Sequence, residues 1–294
     1  MADFRADQAE GLRRLLDRGS VRMMTVASGS HGVGRTSTVI NVAAGLADRG
    51  RRVLVIDENY GPANVAGLLG VRSRFDLDDV IHQDCSLEDA LLLAPGGITI
   101  LPAARGARAL PGLRNLDQER LIAGFGRLDD RFDVVLIDTR CGNNGNPGFF
   151  SRVVEDTIVV SSAAAPAITE SYALIKRMGR HRGKRRFHLL LNRVSSEQNA
   201  RLIFDNMERV SRDHLETPLE CLGSVPKDDS VGTASQMFQP VVEAFPTSPS
   251  ATGFKRIAQS IAGWPGARDG THGLDSLMQR LLTSSNSNFA TAGA

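Results

Sequence analysis

A glycine-rich stretch follows the first apolar run of the chain and has the residue types of a phosphate-binding loop. Gly29 and Gly34 have the spacing G-x-x-x-x-G, and a helical pattern begins directly after them. Such a turn directs backbone N–H groups and the positive end of a helix dipole at an anion. The predicted loop residues are Gly29, Ser30, His31, Gly32, Val33, Gly34, Arg35, Thr36 and Ser37. The alternative is a tight strand-to-helix turn without a ligand.

Three polar side chains are expected to add a metal ion to this site. Thr36 lies in the first helical turn, where a hydroxyl can hold Mg²⁺. Asp57 and Asp138 each end an apolar run, and ligands of open α/β sheets bind at the carboxyl ends of strands. The sequence therefore predicts one magnesium–phosphate site from Thr36, Asp57 and Asp138. The alternative for each aspartate is a helix N-cap.

Short apolar runs alternate with helical patterns along most of the chain, which predicts an α/β fold: a doubly wound, mostly parallel sheet flanked by helices. We expect an N-terminal segment over 1–20, a nucleotide-binding domain over 21–264, and a linker, amphipathic helix and tail over 265–294. The predicted strands are 21–27, 52–57, 98–103, 133–138, 156–162, 187–192 and 222–226.

Composition narrows the class of protein. The 294 residues include 35 Lys and Arg against 33 Asp and Glu, so the net charge is only +2, and we do not expect nucleic acid as a partner. Three cysteines without metal-ligand spacing favour a reduced, cytoplasmic chain. The charged start of the chain has no signal-peptide pattern, and no apolar run is long enough to span a membrane.

The order and spacing of these motifs resemble the MinD/ParA-type P-loop ATPases over roughly residues 21–262. The segments that carry the resemblance are SGSHGVGRTS, VLVIDEN, VVLIDT, LLNRV and GSVPKDD. The resemblance implies a MinD-type P-loop NTPase fold, ATP or ADP with Mg²⁺ as cofactor, and a nucleotide-dependent homodimer. It also implies that Asn192, Arg193 and Pro226 contribute to nucleotide binding.

Departures from the family pattern fall on the residues that carry its chemistry. The lysine that reaches across the family's dimer is Ser30 here, and the glycine after it is His31. The Walker lysine is Arg35, a planar fork rather than a compact charge. The second switch carboxylate is Asn59, which can orient a water molecule but cannot accept its proton. Arg35 and Asn59 are therefore degenerate catalytic positions, and we expect weak nucleotide binding with slow or absent hydrolysis.

The segment before the first strand matches the pattern D-Q-A-x-x-L-R through Asp7, Gln8, Ala9, Leu12 and Arg13. Ahead of a MinD-like domain, it resembles the activator helix of the FlhG (FleN) family of flagellar-number regulators. The resemblance implies that these five residues bind the GTPase FlhF and stimulate GTP hydrolysis. Flagellar regulators and C-ring components are further partners of that family. The alternative is a helix docked on its own domain.

An apolar stripe near the C-terminus predicts one amphipathic helix. The family resemblance implies a membrane-targeting helix and a peripheral location at the inner membrane or cell pole. Packing on the chain's own domain, in a groove that a dimer would use, is the alternative, since Asp275 and Arg280 leave the polar face without excess positive charge. The stripe comprises Leu274, Leu277, Met278, Leu281 and Leu282.

Two classes of function remain open from the sequence. The N-terminal segment favours an FlhG-like regulator of flagellar number and placement. The second class is a ParA-type partition or positioning ATPase that acts on DNA or a polar cargo. The basic stretch over 176–186 fits DNA or anionic lipid in that reading, and a solvated helix end in the other.

Overall fold

The computed structural model describes residues 21–140, 148–179, 185–215, 218–264 and 273–290. Within them lies one eight-stranded sheet with the order β3-β4-β2-β5-β1-β6-β7-β8. The strands are β1 (Arg22–Ala27), β2 (Val53–Asp57), β3 (Leu92–Ala94), β4 (Ile98–Pro102), β5 (Val134–Asp138), β6 (Asp156–Ser162), β7 (Arg186–Val194) and β8 (Leu219–Pro226).

The central strands are apolar because helices cover both of their faces. Every residue of β2 and β5 is buried, and the two strands pair in parallel so that Asp57 lies beside Asp138. The doubly wound α/β prediction is confirmed by this mostly parallel, helix-flanked sheet. All seven predicted strands are present: β6 has the predicted ends, and the ends of the others differ by at most three residues.

The edge strand β3 is absent from the sequence prediction. It pairs antiparallel with β4 through a turn in which Gly96 and Gly97 have φ of 83° and 65°. Both values lie in the left-handed region that glycine adopts without steric cost, so the Gly-Gly pair was the available signal of a turn. With only three residues, β3 is too short to show a periodic pattern.

Helices connect the strands and form the outer layers. Those described are α1 (Arg35–Ala47), α2 (Val65–Leu68), α3 (Leu77–Ile81), α4 (Gly106–Ala109), α5 (Asn115–Gly126), α6 (Ala165–Gly179), α7 (Glu197–Leu215), α8 (Ser230–Gln236), α9 (Val241–Ala244), α10 (Pro249–Ala262) and α11 (Leu274–Ala290).

The hydrophobic core divides between the two faces of the sheet. On one face α1, α9 and α10 pack over β1, β2 and β5. On the other face α3, α5 and α11 cover β2 and β5, while α6 and α7 cover β6 and β7. The carboxyl ends of β1, β2 and β5 are therefore held rigidly at one edge, where the predicted site lies.

Candidate functional site

The predicted phosphate loop runs from the end of β1 to the start of α1. Gly32 and Gly34 have φ of 74° and 87°, which L side chains rarely adopt. A Cβ on Gly34 would overlap the side-chain amide of Asn192, so glycine is required there for space as well. Gly34 is the N-cap of α1 and offers no side chain to the first-turn N–H groups. Those groups therefore remain available to an anion.

A cleft of about 630 Å³ opens over this loop, within the size range of small-molecule sites. Loop residues form one wall, and the segment after β2, together with Arg140 and Arg193, forms the others. The lining residues are Ser28, Ser30, His31, Gly32, Val33, Gly34, Arg35, Thr36, Ser37, Asn59, Tyr60, Ala63, Leu68, Arg140 and Arg193.

Asn192 and Arg193 hold the loop from the end of β7. The Asn192 amide donates to the Val33 carbonyl at 2.9 Å, and the Arg193 guanidinium donates to the Gly32 carbonyl at 3.0 Å. Because C=O and N–H point in opposite directions across a trans peptide, these bonds fix where the following N–H groups point. Arg193 itself has φ of 57°, a strained conformation for this residue type. Both residues thus act on the loop, and Arg193 also lines the cleft.

The start of the loop rests on α6. Gly29 lies against the backbone of Glu170 so closely that a Cβ would overlap it, and the Ser30 hydroxyl donates to the Glu170 carboxylate. Gly29 therefore supports the loop from behind and is not among the residues lining the cleft. Ser30 is held at the cleft wall by a residue of its own chain.

Arg35 extends away from the loop toward the ends of β2 and β5. Its Nε lies 2.6 Å from Oδ1 of Asp138, and its Nη2 lies 2.6 Å from Oδ1 of Asn59. The Arg35 side chain is 12% exposed and that of Asp138 is fully buried. The guanidinium therefore joins the two positions where the sequence predicts metal binding and water orientation.

Both carboxylate oxygens of Asp57 accept hydrogen bonds from the segment that follows β2. Its Oδ1 accepts hydrogen bonds from the Asn59 backbone N–H at 2.9 Å and from the Asn59 side-chain amide at 2.8 Å. Its Oδ2 accepts from the Val65 N–H at 2.7 Å. Because Val65 begins α2, Asp57 satisfies an otherwise unpaired donor at that helix terminus.

Burial governs the protonation of the two aspartates. Desolvation, with the nearby charge of Asp138, raises the pKa of Asp57 to about 6. Desolvation also raises the pKa of Asp138, although the charge of Arg35 and a hydrogen bond from Thr36 oppose the increase. Among the described residues, Oδ2 of Asp138 has no hydrogen-bond partner.

The predicted magnesium ligands do not form a free ligand set in this arrangement. Thr36 reaches Asp138, but both oxygens of Asp57 accept hydrogen bonds from its own loop, and Arg35 holds one oxygen of Asp138. No group of three His, Cys, Asp or Glu side chains suited to a metal ion occurs in the described part of the chain. The two aspartates therefore leave one free oxygen for an inner-sphere Mg²⁺ ion among the described residues, Oδ2 of Asp138, and the Arg35 guanidinium holds the other oxygen of the same carboxylate.

Glu58 is a site residue that the sequence reading missed. Its side chain is buried, its Oε1 accepts from the Phe150 N–H at 2.9 Å, and a Cβ on Gly148 would overlap its carboxylate. Burial raises the pKa of Glu58 to about 7. Glu58 thereby joins the loop after β2 to the segment that precedes β6. The available signal in the sequence was an acidic residue directly after Asp57.

The rim of the cleft carries an aromatic ring between two cations, which was also missed. The Arg108 guanidinium lies 5.0 Å from the centre of the Tyr60 ring, and that of Arg140 lies 5.8 Å from it. Tyr60 is nevertheless 44% exposed. Arg140, two residues after the end of β5, lines the cleft and is a candidate for contact with an anion there.

Several predicted residues lie elsewhere. Pro226 ends β8 beside Val194 and is not among the residues that line the cleft. Asp7, Gln8, Ala9, Leu12 and Arg13 fall outside the described residues. Residues 180–184 of the basic stretch also fall outside them. The last two residues of this stretch contact the chain's own domain. Arg185 donates to the carbonyls of Ser151 and Arg152, and Arg186 forms an ion pair with Asp156.

The amphipathic stripe of α11 packs on the chain's own domain. Leu274, Leu277, Met278, Leu281 and Leu282 are each 0–2% exposed, and they join the cluster that contains Leu121 and Phe125 of α5. Asp129 accepts from the Leu274 N–H at the start of the helix. Throughout the described residues, each helix is too short or too polar to cross a lipid bilayer.

Comparison with known proteins defines the family. Residues 24–241 match the model of the CobQ/CobB/MinD/ParA nucleotide binding domain. The chain belongs to this family. It is 37% identical over 262 residues to "Antiactivator FleN" of Pseudomonas aeruginosa, covering 89% of this chain and 94% of that protein. It is 25% identical over 219 residues to the "Flagellum site-determining protein YlxH" of Helicobacter pylori, covering 71% of each.

The family fold is also that of a solved MinD structure. The septum site-determining protein MinD of Pyrococcus horikoshii, in complex with Mg-ADP, superposes with a TM-score of 0.61 and 22% identity. The superposition covers 83% of this chain and 96% of that one. The fold of the family member described here is therefore that of a MinD-like P-loop NTPase.

Proposed function

We propose that this chain is a FleN/FlhG-like regulator of flagellar number and placement that binds ATP or ADP and hydrolyses ATP slowly or not at all. The observation that carries the proposal is the 37% identity to FleN over 89% of the chain. The match to a flagellum site-determining protein supports the same process. The closed Arg35–Asp138–Asn59 arrangement supports the slow turnover.

Nucleotide binding is proposed from the loop geometry. The glycines at 32 and 34 and the uncapped start of α1 leave backbone donors for phosphate oxygens. Arg140 and Arg193 add positive charge at the wall of the cleft. The base and ribose would extend along the cleft beyond the loop. A nucleotide-dependent homodimer is proposed by family likeness.

Slow ATP hydrolysis follows from the side chains expected near the terminal phosphate. In-line attack on a terminal phosphate requires a positioned water molecule and positive charge on the transferred group. Here the Asn59 side chain donates to Asp57 and accepts from Arg35, so water orientation requires that these bonds open. The charge of Arg35 is likewise directed at Asp138.

The N-terminal segment is proposed to act on a partner. Asp7, Gln8, Ala9, Leu12 and Arg13 match the activator pattern, and we propose that they bind an FlhF-like GTPase and stimulate GTP hydrolysis. Flagellar regulators and C-ring components are proposed as further partners.

The protein would work in the cytoplasm. Contact of α11 with the inner membrane or cell pole requires that this helix leave α5.

The partner proposal is tested by GTP hydrolysis of an FlhF-like GTPase with and without the full chain. We expect the wild type to accelerate hydrolysis and Gln8→Ala to lose the acceleration. Gln198→Ala is the matched control because Gln198 is an exposed glutamine of α7, and it should behave as wild type. Equal acceleration by wild type and Gln8→Ala, or none by either, would contradict the proposal. ATP-dependent retention on DNA would instead favour the partition-type function.

A further inference from the structure

The Arg35 guanidinium bridges the two chain segments that follow β2 and end β5. Its Nε and Nη2 each lie 2.6 Å from an acceptor, one on Asp138 at the end of β5 and one on Asn59 after β2. The two strands, β5 and β2, are neighbours in the sheet. A single guanidinium therefore supplies positive charge to a carboxylate that is fully buried.

The second aspartate at this edge, Asp57, is committed to hydrogen bonds as well. Both oxygens of Asp57 accept hydrogen bonds, three in total, from Asn59 and Val65. Oδ2 of Asp138 is left without a partner among the described residues. A divalent ion on that oxygen would lie next to the guanidinium on the other oxygen, and the two like charges would repel.

We propose that the guanidinium of Arg35 acts as a built-in counter-cation, so that this chain binds the phosphates of a nucleoside diphosphate or triphosphate without a divalent metal ion. The inference rests on the proposed nucleotide binding. Arg35 lines the cleft at the first turn of α1, directly after the phosphate loop. A phosphate in the loop is therefore within the field of this charge.

The guanidinium has donors to spare for this role. Arginine carries five N–H donors in a planar fork, and the two contacts described use Nε and Nη2. Its Nη1 has no hydrogen bond to another described residue. The fork can thus hold Asp138 on one side and a phosphate oxygen on the other, which a lysine ammonium in the same place does with poorer geometry.

The test is equilibrium binding of a fluorescent ADP analogue to the full chain, in excess MgCl₂ and in EDTA. For the wild type we expect the dissociation constants in MgCl₂ and in EDTA to agree within about threefold. Arg35→Lys should release one oxygen of Asp138 and gain a preference for Mg²⁺ of about tenfold or more. Arg49→Lys is the matched control, because Arg49 is an exposed arginine just after α1 that does not line the cleft, and this variant should keep the wild-type insensitivity.

The outcomes separate the inference from the proposed function. Wild-type binding that requires Mg²⁺ overturns the inference and leaves nucleotide binding intact. Binding by Arg35→Lys that stays equal in MgCl₂ and EDTA also overturns it. No wild-type binding in either buffer refutes nucleotide binding itself, and the inference with it. If Arg35→Lys fails to fold, as judged by its thermal transition, the wild-type comparison alone decides.

Discussion

Asp57, Glu58 and Asp138 are buried together at the carboxyl ends of β2 and β5, and burial raises the pKa of each. Desolvation is the largest cause in all three, because a buried carboxylate loses its hydration. Arg35 is the charge that compensates Asp138, whereas the described partners of the Glu58 carboxylate are backbone N–H groups. The site therefore favours protonation of its carboxyl groups at pH values where an unfolded chain has already lost these protons.

The first prediction concerns stability against pH. The pKa of Glu58 is about 7 in the folded chain against 4.5 for the free side chain, so between these values the folded state binds more protons than the unfolded state. Stability must then fall as pH rises through this window. From pH 5 to pH 8 we expect urea denaturation to show a loss of roughly 2–3 kcal/mol from Glu58.

Glu58→Gln should flatten this dependence, and Glu119→Gln on the exposed face of α5 is the control. Asp57, with a pKa of about 6, contributes a smaller slope that both variants retain. A wild-type stability that is constant or rises from pH 5 to pH 8 would contradict the assignment.

The second prediction concerns the glycines of the loop. A Cβ on Gly29 would overlap the backbone of Glu170, and backbone cannot move aside cheaply. We expect Gly29→Ala to lower the free energy of unfolding by about 1–3 kcal/mol and to weaken nucleotide binding. Gly232→Ala in α8 is the matched control because its Cβ would meet no atom within 4 Å. Helix propensity makes that variant neutral or more stable by up to about 1 kcal/mol. Equal stabilities of the two variants would argue against the close contact.

At the scale of elements, sequence pattern predicted the parallel strands well and the site's side chains less well. Strands such as β2 and β5 are buried on both faces, so they are continuous apolar runs that end in an aspartate. The partners of those aspartates depend on long-range approach: Arg35 reaches Asp138 across 103 positions of sequence. The use of both Asp57 oxygens by its own loop depends on backbone geometry that no spacing rule encodes.

The helix α11 shows the same limit. The spacing of its apolar residues predicted an amphipathic helix, but periodicity does not say whether protein or lipid covers the apolar face. In the structure α5 and the cluster around Phe125 cover it, and the helix runs to Ala290 rather than ending near Leu282. The C-terminal helix thereby contributes to the core of the domain that the sequence reading placed at 21–264.

The third prediction tests this packing. Leu277 is fully buried, so Leu277→Ala should lower the free energy of unfolding by about 2–5 kcal/mol. Gln279→Ala, on the exposed side of the same helix, should change it by less than about 0.5 kcal/mol. The two are compared by urea denaturation. A Leu277→Ala variant as stable as wild type would indicate that α11 is undocked in solution and free to contact membrane.

At the scale of the whole molecule, a MinD-like fold is combined with a phosphate site whose catalytic positions form hydrogen bonds within the chain. The phosphate loop keeps its glycines, its clamp from Asn192 and Arg193, and its open cleft. The positions expected to support ATP hydrolysis are Ser30, Arg35 and Asn59, and the side chain of each forms a hydrogen bond with another residue of the chain. We therefore expect nucleotide to act as a bound ligand of a regulator more than as a consumed substrate.

The most direct measurement is phosphate release from ATP by the purified full chain, compared with the triple variant Ser30→Lys, Arg35→Lys and Asn59→Asp. The account predicts slow or absent release by the wild type. It predicts an increase of about tenfold or more in the triple variant, larger than in any single variant, since these positions act together on one transition state. Rapid release by the wild type that Thr36→Ala or Asp138→Asn abolishes would contradict the account.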